Sequence, residues 1–369
     1  MKAKQYIYHW LFFPLLVLLL ASGVASCSND PAMEEEATYG KTSLVVTVRS
    51  ITTTPDNATT YYDEYVKTLR IIGFDASDNL VCNGFFNSLE QVTHDTSIKI
   101  TQELQNFQGG TCKLYFIANE EYYTTGNTNL SAFLKNETSI LIEQELKDCI
   151  IKVSSANDGW GTNPILMTAQ TSAYIQSGKT EQNIGTIELV RCVAKVQLIV
   201  QKDNTAENKI PESDVVTISD VSLHGSRPDS YSLWDTKSHF AINNSEYQHD
   251  FTITDGNKTV GYGTDGSPAY TSDMVYFPET LSPNNTTEGV LYFTFTLNYT
   301  PNGANTPTVR TYTVAIGEDA DDDGVVEDYN IYRNTIYTVT ATLQWQPTEP
   351  TMNIQVDAWD EKEMSVDFN

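Results

Sequence analysis

Short runs of β-branched and aromatic residues recur along this chain, and clusters of Asn, Asp, Gly, Ser and Pro separate them. Several runs alternate apolar and polar residues with period two, which is typical of half-buried strands. Only residues 131–135 and 143–147 have a helical pattern, and both segments are short. The sequence therefore predicts an all-β fold with minor α content. The predicted strands cover residues 44–48, 69–74, 114–117, 184–189, 193–200, 215–223, 291–297, 311–316, 336–343 and 353–356.

The N-terminal segment has the order of a secretory signal. Lys2 and Lys4 precede an apolar run over residues 10–20 that is too short to span a bilayer, and small residues follow it. The tetrad VASC, which ends at Cys27, resembles the bacterial lipobox, in which the cysteine is acylated before cleavage just ahead of it. We therefore predict a signal peptide over residues 1–26 and a lipidated Cys27. A secreted protein with a chance cysteine is the alternative.

The charge of the chain excludes one class of partner. The whole chain has a formal net charge of −26, and loss of Lys2 and Lys4 with the signal peptide leaves 20 basic against 48 acidic side chains, or −28. Such a polyanion repels nucleic acid and anionic membrane surfaces. We therefore predict no nucleic-acid partner, and we attribute the acidity to the solubility of an exposed surface protein.

Four cysteines remain beyond the lipobox: Cys82, Cys112, Cys149 and Cys192. An even number in an oxidising compartment permits two disulfides, with three connectivities. Their spacings match no zinc pattern. Structural disulfides and buried free thiols both explain them, and the sequence does not choose between the two.

Motifs of catalysis are missing from the sequence. The five histidines form no HxH or HExxH pair, and there is no GxSxG elbow, phosphate-binding glycine loop or thiol-nucleophile signature. Asp and Glu are plentiful, but nothing singles out a catalytic carboxylate pair. We therefore predict no enzyme and no cofactor.

One acidic loop resembles half of a calcium site. Asp319, Asp321 and Asp323 occupy positions 1, 3 and 5, and Gly324 occupies position 6. Position 12, however, is Asn330, which cannot chelate with two oxygens. The alternative is a solvated acidic hairpin loop, and we predict no metal site beyond this weak candidate.

A set of ordered segments spans nearly the whole chain and resembles the fimbrillins, the FimA-like subunits of type V pili. These segments are residues 43–49, 66–74, 166–169, 188–198, 275–279, 331–339 and 353–359. The resemblance implies two β-sandwich domains in tandem with a C-terminal donor-strand segment. The expected division is a lipidated propeptide with the first strand at 27–49, domains at 50–191 and 192–350, and the strand segment at 351–369.

The resemblance also implies a polymerisation mechanism. Family subunits are exported as outer-membrane lipoproteins, an arginine-specific protease removes the N-terminal strand, and the C-terminal strand of another subunit fills the groove. Losing a strand exposes unpaired N–H and C=O groups beside an apolar trench, and a donor strand satisfies both. The resemblance therefore implies a cell-surface fimbrial subunit that supports adhesion, with other fimbrial subunits as partners.

The C-terminal residues fit the role of a donor strand. Apolar side chains of one parity occur on both sides of the charged residues 360–363, so one apolar face can continue across them. The expected donor-strand anchors are Ile354, Val356, Met364, Val366 and Phe368. The alternative is that residues 353–369 complete the sheet of the subunit itself. Trp359, of opposite parity, is predicted to be a domain-core residue.

Arg49 is the candidate for proteolytic cleavage because it directly follows the first predicted strand. The polar loop over residues 50–63, where the family usually places its arginine, contains no Arg or Lys, which departs from the pattern. Arg70 lies inside the next predicted strand and should be protected. Three roles stay open: a stalk subunit cut at Arg49, a tip or accessory subunit, and an anchor that keeps its strand and its lipid.

A surface glycan-binding lipoprotein is the rival function. Aromatic residues such as Trp160 and Trp234 would suit it if they were exposed. Such residues more often pack in the core or beneath loops, and many functions share the sandwich fold.

Overall fold

The computed structural model describes residues 41–50, 65–87, 89, 96–136, 141–153, 163–205, 209–235, 244–253, 256–264, 266–281, 290–317, 328–344 and 351–358. For the last of these ranges, the description covers the backbone. Cys27 lies outside the described residues.

The structure is built from strands, with two short helices, as the sequence predicts. The helices are α1 (Leu130–Lys135) and α2 (Glu143–Lys147), where helical patterns were expected, and a 3₁₀ turn covers Glu120–Tyr122. The strands are β1 (Thr42–Ser50), β2 (Leu69–Phe74), β3 (Leu80–Phe86), β4 (Ile98–Leu104), β5 (Gly110–Ala118), β6 (Thr124–Thr125), β7 (Thr128–Asn129), β8 (Ile150–Lys152), β9 (Met167–Ile175), β10 (Gln182–Arg191), β11 (Val193–Lys202), β12 (Val215–Pro228), β13 (Ser230–Ser232), β14 (Asn244–Asp250), β15 (Lys258–Thr259), β16 (Tyr270–Thr271), β17 (Val275–Pro278), β18 (Tyr292–Thr300), β19 (Thr308–Ala315), β20 (Ile336–Gln344) and β21 (Thr351–Ala358).

The N-terminal half forms one seven-stranded sheet with the order β3-β2-β5-β9-β10-β1-β4. The two edge strands, β3 and β4, come close together: the backbone N–H of Gln105, just after β4, donates to the Val81 carbonyl of β3 at 2.7 Å. The sheet is therefore curled. We call it the curled sheet. Its apolar side encloses a buried cluster, the first core, which includes Leu44, Val46, Val48, Leu69, Ile71, Leu114, Phe116, Met167 and Leu189.

The C-terminal half contains two further sheets. One has the order β16-β11-β20-β21, with β17 also pairing with β11, and the other has the order β14-β12-β18-β19, with β15 beside β12. A single buried cluster, the second core, takes residues from both sheets, as expected of a sandwich. Its members include Val196, Leu198, Val200, Val216, Ile218, Leu223, Phe293, Phe295, Leu297, Val339, Ala341 and Leu343.

A third cluster, the junction core, combines residues from both halves of the chain. It includes Ile72, Phe74, Tyr115, Ile117, Leu134, Leu146, Ile151, Cys192, Tyr231, Leu233 and Trp234. Trp234 is buried, and its indole N–H donates to the Leu146 carbonyl at 2.6 Å. The short strand β13 pairs with β8 beside this cluster. The halves therefore share buried surface, and Trp234 is a packing residue.

The two helices lie over the junction core because their apolar residues face it. The Asn129 side chain caps α1 by accepting from the Ser131 and Ala132 N–H groups, and Asn136 ends the helix at φ 41°. Such a side-chain cap stabilises a helix by about 1 kcal/mol. The sequence of α1 thus sets both of its ends, while burial of Leu134 and Leu146 holds the helices in place.

The boundaries at 50–191 and 192–350 stay a prediction. Residues Tyr39–Asn369 form one compact unit. The first and second cores nevertheless take their residues from 44–189 and 194–343, respectively.

Candidate functional site

Strand β1 lies inside the curled sheet. It pairs in parallel with β10, from Leu44 opposite Gln182 to Ser50 opposite Leu189, and antiparallel with β4, from Thr42 opposite Leu104. Both of its edges therefore bond to neighbouring strands. Removing β1 would expose one edge of β10 and one of β4 and would leave a groove between them.

Buried apolar side chains fix β1 in this groove. Leu44, Val46 and Val48 are fully buried in the first core. Opposite Val46, β10 contains a bulge at Gly185, whose φ of 94° favours glycine. Burial of three such side chains contributes roughly 1.5–3 kcal/mol each. The groove thus selects a strand with three alternating apolar residues.

Arg49, the predicted cleavage residue, is the penultimate residue of β1 and forms an ion pair. Its guanidinium donates to the Glu188 carboxylate of the neighbouring β10, with Nε 3.0 Å from Oε1, and the side chains are 39% and 17% exposed. Ser50, on the other side of the candidate bond, is fully buried and pairs with Leu189. A protease needs an extended, unpaired substrate, so the Arg49–Ser50 bond is protected while β1 stays in the sheet.

Arg70 is protected, as expected. It lies in β2, is 3% exposed, and donates to the fully buried Glu120 with Nη2 2.6 Å from Oε1. Asn83 and Ser131 complete the network by bonding Arg70 and Glu120, respectively. A buried charge that loses its partner is strongly destabilising. The network therefore fixes β2 to the 3₁₀ turn.

The C-terminal strand β21 pairs with β20 of the same chain. The pairing is antiparallel, with Ile354 opposite Ala341 and Val356 opposite Val339. This is the arrangement in which the segment completes the sheet of its own subunit. The other expected anchors, Met364, Val366 and Phe368, and Trp359 lie outside the described residues, so the donor role of all five anchors stays a prediction.

Two of the segments that carry the resemblance meet in a buried ion pair that the sequence analysis missed. Arg333 Nη2 lies 2.7 Å from Glu279 Oε2, and both side chains are at most 5% exposed. Arg333 also donates to the Leu233 and Ser232 carbonyls at 3.1 and 2.8 Å. The pair therefore holds β13 beside the β17 end. Glu279 lies in the segment 275–279 and Arg333 in the segment 331–339. Neither sequence indicates that the two residues form an ion pair.

The four described cysteines are free thiols, each buried: Cys82, Cys112, Cys149 and Cys192. This decides between the two alternatives in favour of buried thiols. Burial raises the pKa of Cys149 to about 11 and that of Cys112 to about 12, and it also raises the pKa values of Cys82 and Cys192. The thiols therefore stay protonated at neutral pH, and the thiolate is the reactive form.

A Cys27→Ser chain is expected to resist Ellman's reagent at pH 8 while folded and to release four thiols on unfolding. Because folding raises the pKa values of the thiols, burying them in the protonated form stabilises the folded state below about pH 8.5, the pKa of an unfolded cysteine. This stabilisation is lost as the pH rises above that value toward the folded-state pKa values. Absorbance at 412 nm with and without denaturant measures both states. A yield of two or no thiols from unreduced, unfolded protein would contradict the free-thiol state.

The remaining predicted site residues lie outside the part of the chain that the structure describes. Asp319, Asp321 and Asp323 lie outside the described residues, as does Trp160. Among the residues that are described, no group of three or more His, Cys, Asp or Glu side chains is arranged to hold a metal ion. No helix in that part of the chain is long and apolar enough to cross a membrane.

Comparison with known proteins finds similarity to fimbrial proteins. The model of the family described as major fimbrial subunit protein (FimA) matches residues 42–210, which contain β1 and the whole curled sheet. No curated protein sequence matches the chain.

Two solved structures share the fold. The tip fimbrial protein Mfa3 from Porphyromonas gingivalis, with a C-terminal truncation, is 14% identical and aligns with a TM-score of 0.53 over 86% of this chain and 100% of its own. The fimbrilin FimA from P. gingivalis W83 is 10% identical, with a TM-score of 0.51 over 86% of this chain and 97% of its own. At these identities the matches establish a common fold.

Proposed function

We propose that this chain, which the FimA family model matches over residues 42–210, is a structural subunit of the fimbrillin family that polymerises by strand exchange. In this proposal Cys27 is acylated, and the precursor is an outer-membrane lipoprotein. An arginine-specific protease then cuts after Arg49, and the C-terminal strand of another subunit enters the groove between β10 and β4. The polymer is a cell-surface fimbria that supports adhesion.

The burial of β1 between two strands carries the proposal. Both edges of β1 pair with neighbouring strands, and its residues Leu44, Val46 and Val48 are fully buried. Its removal therefore leaves a groove with strand edges on both sides and three apolar positions. A donor strand of the same period can satisfy both requirements. Ile354, Val356 and Ala358 repeat the period of Leu44, Val46 and Val48, which supports an exchange between these two segments.

The five expected anchors supply enough apolar surface for a durable joint. At roughly 1.5–3 kcal/mol each, they contribute on the order of 10 kcal/mol before the entropy lost on ordering the strand. If residues 351–358 keep their pairing with β20, the anchors that can reach a second subunit are Met364, Val366 and Phe368.

The second candidate role is a fimbrial anchor that keeps β1 and its lipid. The pairing of Arg49 with Glu188 and the burial of Ser50 favour it, because both protect the candidate bond. The absence of Arg and Lys from residues 51–64 also favours it. Under the polymerising proposal, the protease acts before β1 is fully seated or when its end leaves the sheet.

Protease treatment of the purified, non-lipidated chain tests the proposal. The Cys27→Ser chain cut with an arginine-specific protease is expected to form ladders that survive SDS and to begin at Ser50. Arg49→Ala should prevent both results. Val366→Asp should prevent the ladder while the cut and the thermal midpoint of the uncut chain stay unchanged, because a charge at this anchor blocks only the exchange.

The rival functions give different results in the same experiment. Parent protein that is cut at Arg49 and stays monomeric would overturn polymerisation by strand exchange. Monomers retained by polysaccharide in an affinity gel would instead indicate a glycan-binding lipoprotein.

A further inference from the structure

A cavity of about 710 Å³ lies between the helices, the β6–β7 hairpin and the short β8–β13 sheet. Its volume is in the range of pockets that hold a ligand of drug or peptide size. It takes no lining residue from β1, β10, β4 or β21, so it is separate from the strand-exchange groove. The cavity is therefore a second candidate binding site.

The floor of this cavity is apolar. Phe133 of α1, Ile142 before α2, and Cys149 and Ile150 at β8 line it. Ile142 is 50% exposed, which makes it one of the largest exposed apolar side chains in the described part of the chain. An apolar side chain of a ligand would cover this surface and remove it from water, which favours binding.

The rim of the cavity is acidic. Glu145, Asp148 and Asp229 line it, against a single cation, Lys152. All four residues are exposed, and neither Glu145 nor Asp229 has an ion pair among the described residues. Glu143 adds no free charge, because Lys113 and Lys147 each bind its carboxylate at 2.7 Å. The rim therefore favours a ligand with positive charge.

One backbone edge of β8 also borders the cavity. The bonds from Val153 N–H to the Asp229 carbonyl, at 2.8 Å, and from Leu233 N–H to the Cys149 carbonyl, at 3.0 Å, direct the odd-numbered residues toward β13. Antiparallel alternation then directs the backbone groups of Ile150 and Lys152 to the opposite edge. Within the described strands, β8 pairs with β13 alone. Ile150 and Lys152 are also the β8 residues that line the cavity.

We propose that this cavity binds an extended peptide of a partner protein, in which basic residues alternate with apolar ones, as a strand added to β8. The peptide backbone bonds to the edge at Ile150 and Lys152, its apolar side chains cover Phe133 and Ile142, and its basic side chains meet the acidic rim. The C-terminal segment of a second copy does not fit, because residues 359–369 contain four acidic residues and one lysine. The inference does not depend on polymerisation.

Titration of fluorescent peptides into the non-lipidated full chain tests the proposal. The probe is an acetylated six-residue peptide of alternating isoleucine and arginine, with a glutamate-for-arginine peptide as its counterpart. The arginine peptide is expected to bind, more weakly as salt is raised, and the glutamate peptide is not. Methylating alternate backbone nitrogens of the probe should weaken binding, because it removes the donors that a ladder needs.

A matched pair of double variants distinguishes the effect of the acidic residues at the cavity rim from the effect of the negative net charge of the protein. Glu145→Gln with Asp229→Asn is expected to weaken binding of the arginine peptide about tenfold, as expected for the loss of charge-assisted contacts. Glu181→Gln with Asp220→Asn removes the same charge from exposed residues outside the cavity and should leave binding unchanged. Equal weakening by both variants, equal binding of both peptides, or no binding of the arginine peptide would overturn the proposal. Equal binding of the methylated probe or of free agmatine would replace strand addition with a simple cation site.

Discussion

Replacing Val46 by aspartate is expected to prevent the curled sheet from folding. Val46 is fully buried in the first core and lies opposite Ile100 of β4. A buried, unpaired carboxylate loses hydration at a penalty of several kcal/mol, and protonating it still leaves polar atoms without partners. That loss is comparable with a domain stability of about 5–15 kcal/mol. Circular dichroism and thermal unfolding of the non-lipidated chain measure the effect.

Val309→Asp provides the matched control for this substitution. Val309 lies in β19, also in a strand, but its side chain is 58% exposed. The same chemical change should therefore leave the unfolding midpoint within a degree or two of the parent. Two folded variants of similar midpoint would contradict the placement of β1 in the first core.

Replacing Arg333 by alanine is expected to lower the free energy of unfolding by about 3–5 kcal/mol, the usual loss when a buried ion pair loses one partner. The substitution leaves the buried Glu279 carboxylate without its guanidinium and also removes the donor to the Leu233 and Ser232 carbonyls. Because these contacts hold β13 in place, the junction core should loosen as well. Chemical denaturation followed by tryptophan fluorescence, to which Trp234 of the junction core contributes, measures the loss.

Two comparisons sharpen the Arg333 prediction. Lys209→Ala removes a partner from the exposed pair with Glu212 and should leave the midpoint unchanged, as is usual for surface pairs. Arg333→Met combined with Glu279→Leu removes both charges and should recover part of the stability. If Arg333→Ala were as stable as Lys209→Ala, the buried pair would not hold the junction.

The sequence predicted strands best where apolar alternation is strong and the strand is long. The elements β1, β2, β10, β11, β12, β18 and β20 all appear where the pattern indicates. By contrast, β3 and β4 were not predicted, because Asn83, Gly84, Lys99 and Gln102 dilute their apolar character. Their partners β2 and β1 decide their conformation, and such non-local pairing leaves little local signal.

The groove illustrates what a single sequence shows and what it does not. The apolar run over residues 44–48 predicted a strand, but its parallel neighbour β10 lies more than 130 residues away. Separations of 139 and 54 residues likewise hid the Arg49–Glu188 and Glu279–Arg333 pairs, because charge alone does not identify a distant partner. The cavity was also missed, since its lining comes from five short elements whose arrangement depends on the junction core.

The N terminus of assembled fimbriae tests the central claim most directly. Fimbriae sheared from cells that express this chain can be analysed by N-terminal sequencing and by mass spectrometry for acyl groups. Exchange of β1 predicts that the subunit in the fibre begins at Ser50 and carries no lipid. A subunit that begins at acylated Cys27 and retains residues 42–50 would contradict strand exchange at this groove and would establish the anchor role instead.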